Sequence, residues 1–313
     1  MDRTELAAAL GARLGGVVGG LERLSGGASR ETFGFRIGDR ALILQRVRPG
    51  PVAGSFSMEA EAELLRAAAH AAVPVARVVD AADDPSILGA PFIVVERLDG
   101  ESIARRILRD DRFSQARDVL VEQCAAALAR IHRLPVAEVP RLRRQGQLRD
   151  IEQLFTTLDE PHPAFELAFR WLHANQPAAP EAPAVVHGDF RLGNLLVAPD
   201  GLVAVLDWEL AHLGDPMADL GWFTIRAWRF GGAGEAAGLG TLDELLAAYE
   251  ASGGTPVDRE VLHWWQVLGT LRWGVICMLQ AHAHLTGASR SVELAAIGRR
   301  VCETEYDLLR LLP

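Results

Sequence analysis

The chain has 313 residues, 49% of them hydrophobic, a formal net charge of −9 and three cysteines. That length and apolar fraction can fill the cores of a two-lobed soluble enzyme, while the acidic balance argues against a nucleic-acid partner, whose binding surface would leave a basic footprint. Cys124, Cys277 and Cys302 are odd in number, far apart and without a C-x-x-C spacing, so a reduced, cytoplasmic protein is expected.

Met1 to Glu5 carries charges of both signs and runs into an Ala/Leu helix pattern, without the basic, apolar and cleavage segments of a secretory signal. A strand over 21–24 is expected to run into Ser25-Gly26-Gly27-Ala28-Ser29-Arg30-Glu31-Thr32 and return through the alternating Phe33, Phe35 and Ile37. Residues 41–47 read as a third strand. Residues 57–70, rich in Ala, Glu and Leu, read as a helix. The apolar strand in 91–100 loses its hydrophobicity at Gly100, as at a boundary between lobes.

Beyond it helical periodicity dominates, and Val119, Leu120, Cys124, Leu128 and Ile131 mark a core helix over 114–132. Arg141, Arg143, Arg144 and Arg149 read as a solvated helix face. Residues 176–183 form a proline-rich connection, and 231–240 read as a flexible loop between helices, a plain surface connection in preference to a substrate-side lid. The apolar run at 263–285 is interrupted by Gln266, Arg272, Gln280, His282 and His284, short of the roughly 20 residues that cross a bilayer. It reads as a buried helix, and no membrane partner is expected. His282 and His284 point to different helix faces, unlike an i, i+4 metal pair.

The most informative stretch is Val185-Val186-His187-Gly188-Asp189-Phe190-Arg191-Leu192-Gly193-Asn194, followed by Val203-Ala204-Val205-Leu206-Asp207-Trp208-Glu209. An Asp, an Asn five residues on and a second Asp after the next strand have the spacing of a kinase catalytic loop and its metal-binding strand. Phosphoryl transfer needs a carboxylate to orient and deprotonate the attacking hydroxyl, the part assigned to Asp189. It also needs an amide oxygen and a second carboxylate to hold magnesium, the part assigned to Asn194 and Asp207. Local turn chemistry accounts for one such residue, but not for three hard oxygen donors flanking a hairpin of apolar strands. His187, alone in an apolar run, reads as a scaffold for the loop. With this loop behind it, the small-residue hairpin at Ser25, Gly26, Gly27, Ala28 and Ser29 becomes a candidate phosphate cover, since small residues let backbone amides approach anions closely. By itself a Gly-Gly hairpin is ordinary turn chemistry.

At these residues the chain resembles the aminoglycoside phosphotransferase and choline kinase superfamily, with its H-G-D-x-x-x-x-N loop and I/L-D-W/F-E strand end. It is most similar to the branch that includes the kinase-like domains of certain acyl-CoA dehydrogenases. The resemblance extends over nearly the whole chain. It implies an α+β, bilobal, protein-kinase-like fold, with a nucleotide-binding lobe of antiparallel sheet at 1–98 and a mainly helical catalytic and substrate-binding lobe at 99–313. It implies ATP and Mg2+, and a small-molecule hydroxyl acceptor that is aminoglycoside-, amino-alcohol- or sugar-like.

Where the family carries a lysine on the third strand this chain has none, and Gln45 or Arg46 takes the place, with Arg46 preferred because Arg keeps the charge. The resemblance further implies that Glu61, matched to E-x-x-x-L, pairs with that basic residue, and that the backbone from Glu96 to Leu98 meets the adenine. Gly214-Asp215-Pro216-Met217-Ala218-Asp219-Leu220 matches G-D-P-x-x-D-L, which implies that Asp219 accepts hydrogen bonds from the catalytic-loop backbone. Glu209 faces either substrate or solvent.

Two other classes stay open. A pseudokinase, binding nucleotide without turnover, is suggested by the missing lysine, and a metal-dependent hydrolase would use the same carboxylates on water. The carboxylates crowded between Asp189 and Asp219 favour a neutral or cationic acceptor over an anionic one, with the 141–149 arginines as the counterweight.

Overall fold

A computed structural model of the chain describes residues 1–26, 30–48 and 57–313. Helix α1 (Arg3–Leu14) precedes β1 (Val18–Gly26), β2 (Arg30–Ile37) and β3 (Arg40–Val47), then α2 (Met58–His70), β4 (Val78–Ala82), α3 (Pro85–Leu88) and β5 (Phe92–Glu96). These strands form one antiparallel sheet in the order β1-β2-β3-β5-β4. A helical lobe follows with α4 (Ala104–Arg109), α5 (Ser114–His132), α6 (Gln147–Leu158) and α7 (Pro163–Ala174). Two short pairs then interrupt the helices, β6 (Ala184–Val186) with β9 (His212–Gly214), and β7 (Leu195–Ala198) with β8 (Gly201–Val205). The chain ends in α8 (Met217–Thr224), α9 (Leu242–Ala251), α10 (Arg259–Leu285), α11 (Val292–Gly298) and α12 (Val301–Leu311).

Period-two alternation in the sheet decides what each face carries. Phe33, Phe35, Leu42, Leu44, Phe92 and Val94 point one way and pack on Leu6 and Leu10 of α1. Arg30, Thr32, Gln45 and Ile93 point the other way, into the interlobe cavity. Helix α2 lies on that side, its start fixed by the Ser57 hydroxyl, which accepts from the Ala60 N–H, and by Asp83, which accepts from the Met58 N–H at 2.8 Å.

The largest core runs from α2 through α5 and the β6 to β8 strands into α9, so one body of apolar side chains sets the spacing of the cleft walls. Just past the sheet, Glu101 and Val197 exchange two backbone hydrogen bonds of 2.9 Å, tying the crossing segment to β7. Helix α10 is the spine of the helical lobe and touches α6, α7, α8, α11 and α12. Among the described residues no helix is long and apolar enough to cross a membrane.

Two local expectations are corrected. Strand β1 extends to Gly26 because Ser25 and Gly26 pair with Thr32 and Glu31, so Arg30 to Thr32 are strand and not turn. Residues 231–240 are not a plain surface loop: Gly234 and Ala236 bridge to Gly238 and Gly240, and Ala236 and Ala237 are buried. Small residues let the chain fold onto itself there, with the Gly232 and Gly238 backbones too close for a side chain at Gly232.

Candidate active site

Strand β6 delivers His187 and Gly188 to the loop. Gly188 has φ +82, and a Cβ there would sit 2.4 Å from the Leu210 carbonyl oxygen, so only glycine fits. The His187 Nδ1 accepts from the Asp189 N–H at 3.2 Å, which leaves the proton on Nε2 to donate to the Leu206 carbonyl at 3.0 Å. Burial lowers the His187 pKa, and the neutral ring is a strut between the two chemistry-bearing segments. Asp219 accepts from the N–H groups of His187 (2.7 Å) and Gly188 (2.8 Å) and meets His132 Nε2 at 3.2 Å. Burial works against the Asp219 charge, but His132 and those donors offset it and hold the pKa low.

Asp189 is gripped by three side chains. Asn194 Nδ2 donates to Oδ2 at 2.6 Å, Trp222 Nε1 donates to Oδ1 at 2.8 Å, and Arg191 Nε lies 3.1 Å from both oxygens. Asp207, just beyond β8, has φ +64. Burial first, then the charges of Glu209 and Asp189, push its carboxyl up to about 6, against the pull of Arg30.

No described side chain donates to the Asp207 carboxylate, and Asn194 spends its amide N–H on Asp189. Two hard oxygen donors in a pocket that penalises negative charge fit a magnesium ion. Among the described residues no group of three His, Cys, Asp or Glu could hold a metal by itself. That agrees with magnesium's habit of taking one or two protein carboxylates and completing its shell with phosphates and water.

The cation of the site comes from a residue that sequence reasoning passed over. Arg30, only 8% exposed, donates from Nη1 and Nη2 to the two oxygens of Glu61 at 2.9 and 2.6 Å. Its Nη1 also reaches Gln45 Oε1 at 3.0 Å, and its Nε lies 3.3 Å from Glu209. Burial opposes the Arg30 charge, but Glu61, then Glu209 and Asp207, raise its pKa overall.

The expected pairing of Arg46 with Glu61 is therefore corrected. Arg46 stands opposite Glu31 on the α1 face of the sheet, bonded to Glu31 at 2.9 Å and to the Leu88 carbonyl at 2.8 Å, and over the Phe33 ring. The reason is the strand period: Gln45 pairs with Thr32 and faces the cavity, so its neighbour cannot.

A cavity of about 530 Å3 collects Arg30, Gln45, Glu61, Asp189, Asn194 and Asp207, with Ile93 and Val95 as apolar wall. Glu96 and Leu98 follow Val95 but are not part of this lining. The Glu96 carboxylate pairs with Arg77, and its N–H donates to the Arg77 carbonyl at 2.9 Å. The backbone of Ser25 and Gly26 closes β1, while Gly27, Ala28 and Ser29 lie outside the described residues. Arg141 reaches Glu59 and Glu63 of α2 at 3.3 and 3.5 Å, and is not a free basic surface. The signal for Arg30 was its place three residues past the Gly26-Gly27 step at the head of an alternating strand. That for Trp222 was its position three residues after Asp219.

Residues 20–265 match the model of the phosphotransferase enzyme family. Among curated relatives, mouse acyl-CoA dehydrogenase family member 10 is 34% identical over 62% of this chain, although the match spans 19% of that protein. The chain thus corresponds to about a fifth of that relative's length. A Ralstonia eutropha protein described as a candidate aminoglycoside phosphotransferase has a TM-score of 0.79 at 22% identity, covering 98% of this chain and 97% of that one. A spectinomycin phosphotransferase solved with ADP and spectinomycin has a TM-score of 0.71 at 12% identity, covering 99% and 98%. These likenesses show the bilobal α+β, kinase-like fold.

Proposed function

This chain belongs to the phosphotransferase enzyme family, and we propose that it moves the γ-phosphoryl group of Mg-ATP to a hydroxyl of a small molecule. The observation that carries the reading is the meeting of Asp189, Asn194, Asp207 and the Arg30–Glu61 pair in one cavity. Asp189 takes the hydroxyl proton as the acceptor oxygen attacks the γ-phosphorus. The new P–O bond forms, the bond to the β-phosphate oxygen breaks, and ADP leaves with that electron pair. Asp207 and Asn194 would hold magnesium, which when bound neutralises charge on the phosphates.

Arg30 supplies a preorganised charge for the phosphates, fixed by Glu61 and Gln45 before nucleotide arrives. Arg191 spans both Asp189 oxygens, so proton transfer requires it to release one, and a phosphate competing for the guanidinium would bring that about. The Ser25 to Ser29 segment is assigned to covering the phosphates, and the Glu96 to Leu98 backbone to the adenine. Residues 1–98 and 99–313 are the corresponding nucleotide and acceptor lobes. The ADP in the spectinomycin enzyme supports a nucleotide donor.

A pseudokinase reading rested on the missing lysine. Arg30 gives the site a buried cation by another route, which favours turnover. ADP release from Mg-ATP, measured with a panel of hydroxyl compounds, tests the proposal. Release that depends on both acceptor and Asp189 is expected. Nucleotide binding without release for any compound would favour the pseudokinase, and phosphate release without an acceptor a hydrolase.

A further inference from the structure

We propose that a second cavity, of about 900 Å3 between α4, the turn after α8 and α12, seats the acceptor by an anionic group, so that the substrate is a hydroxy compound bearing a carboxylate or phosphate. The inference rests on the phosphotransferase reading and names the substrate class it left open.

The position follows from a run of aromatic rings. Trp222, whose indole N–H touches Asp189, packs on Trp228 at 5.1 Å between ring centroids, and Trp228 packs on Trp273 at 4.6 Å. Trp273 is a wall of the cavity. Arg191, the guanidinium on Asp189, lies 5.0 Å from the Trp228 ring. The buried Trp222 and Trp228 rings are thus what separates the cavity from the proposed base.

The charge follows from what remains unmatched. Four arginines, Arg105, Arg109, Arg226 and Arg300, line the cavity against Glu303 and Asp307. Arg226 meets Asp307 at 3.4 Å and Arg300 meets Glu303 at 3.1 Å. Arg105 and Arg109, one turn apart on α4, have no carboxylate partner among the described residues. In a chain of net charge −9, this is a concave surface of opposite sign with an aromatic floor, and such a surface concentrates anions. The buried indole N–H of Trp273, on the wall, also lacks an acceptor among the described residues.

The carboxylates near Asp189, which on sequence grounds favour a neutral or cationic acceptor, do not oppose this. Glu61 and Glu209 face Arg30, Asp189 faces Arg191, and Asp219 takes two backbone N–H groups and His132. Asp215 accepts from the Met217 N–H. Asp189, Asp215 and Asp219 are thus met locally, Glu61 and Glu209 share Arg30, and Asp207 is the charge that magnesium would meet, whereas Arg105 and Arg109 have no carboxylate partner among the described residues.

Cys302 gives a direct readout. It lines the cavity and is exposed, while Cys124 and Cys277 are buried and their thiols are pushed up to about 12 by that burial. Alkylation by iodoacetamide at neutral pH therefore reports on this cavity alone. The full chain, with Mg-AMP-PNP present and nucleotide binding verified separately, is alkylated in the presence of glycerol 3-phosphate, glycerate, glycerol or choline. Saturable protection by glycerol 3-phosphate or glycerate, and none by glycerol or choline, is expected. The double variant Arg105→Gln/Arg109→Gln should need about tenfold more anion for the same protection and should bind nucleotide like the parent. Protection by choline but not by the anions, no protection by either anion, or equal protection in the double variant would overturn the assignment. A chain that binds no nucleotide would instead remove the phosphotransferase reading, and the acceptor assignment with it.

Discussion

The indole N–H of Trp222 donates to Asp189 across 2.8 Å, and the ring is itself held. The Arg272 guanidinium lies 4.6 Å from its centroid and donates to the Gly188 carbonyl at 3.0 Å. Trp222 thus joins Asn194 and Arg191 in fixing the rotamer of the proposed base, while Arg272 ties the indole to the loop backbone. Trp222→Phe keeps the ring and removes the donor. We expect kcat to fall by roughly ten- to a hundredfold, the worth of a hydrogen bond to a charged group, with KM for ATP unchanged. A rise in KM for ATP with kcat preserved would show that the bond does not serve the chemical step.

The second prediction separates the two arginines. Arg30→Ala should weaken Mg-ATP binding at least about tenfold and leave Glu61 buried without its partner, at a cost of about 3–5 kcal/mol in stability. Arg30→Met/Glu61→Leu should recover stability without recovering binding. Arg46→Ala, on the α1 face, should leave the nucleotide dissociation constant unchanged. Titration with a fluorescent ATP analogue and thermal melts distinguish these outcomes, and weakened binding in Arg46→Ala would return that residue to the site.

The contrast between Arg30 and Arg46 shows where the sequence was legible. Asp189, Asn194 and Asp207 could be grouped from sequence because they lie within one short segment, and they do line one cavity. Asp219 could be placed for the same reason, and His187 to Gly188 do donate to it. The basic residue could not, because its identity depends on how β2 and β3 pair, a non-local register in which one residue decides between the cavity and the α1 face. Strand β1 was read too short because Gly19, Gly20, Ser25 and Gly26 dilute its alternation. Trp222 was invisible as a site residue because its contact with Asp189 is made by the packing of α8 against the loop. A neighbouring cavity of arginines drawn from α4, the turn after α8 and α12 leaves no trace in any single window of sequence.

A third prediction concerns Asp207 and pH. Its folded pKa, near 6, stands above the usual carboxylate value, so its ionisation opposes folding. That stabilising bias toward the folded state is fully present below the unfolded pKa and is lost as pH rises through 6. In metal-free protein, Asp207→Asn should therefore raise stability at pH 7 by an amount on the order of 2 kcal/mol, with little difference near pH 4. Mg-ATP should reverse the order at pH 7 by stabilising the parent and not the variant. Melting curves across this pH range, with and without Mg-ATP, check both signs, and a variant less stable than the parent in metal-free buffer at pH 7 would contradict the burial argument.

The most direct test compares Asp189→Asn with Asp207→Asn in one assay of Mg-dependent ATP binding and acceptor-dependent ADP release. If Asp189 handles the hydroxyl proton and Asp207 holds magnesium, Asp189→Asn should bind Mg-ATP within about threefold of the parent and lose turnover by about a thousandfold or more. Asp207→Asn should lose the magnesium dependence of binding itself. Equal loss of nucleotide binding in the two variants, or turnover surviving in Asp189→Asn, would contradict the division of roles on which this account stands.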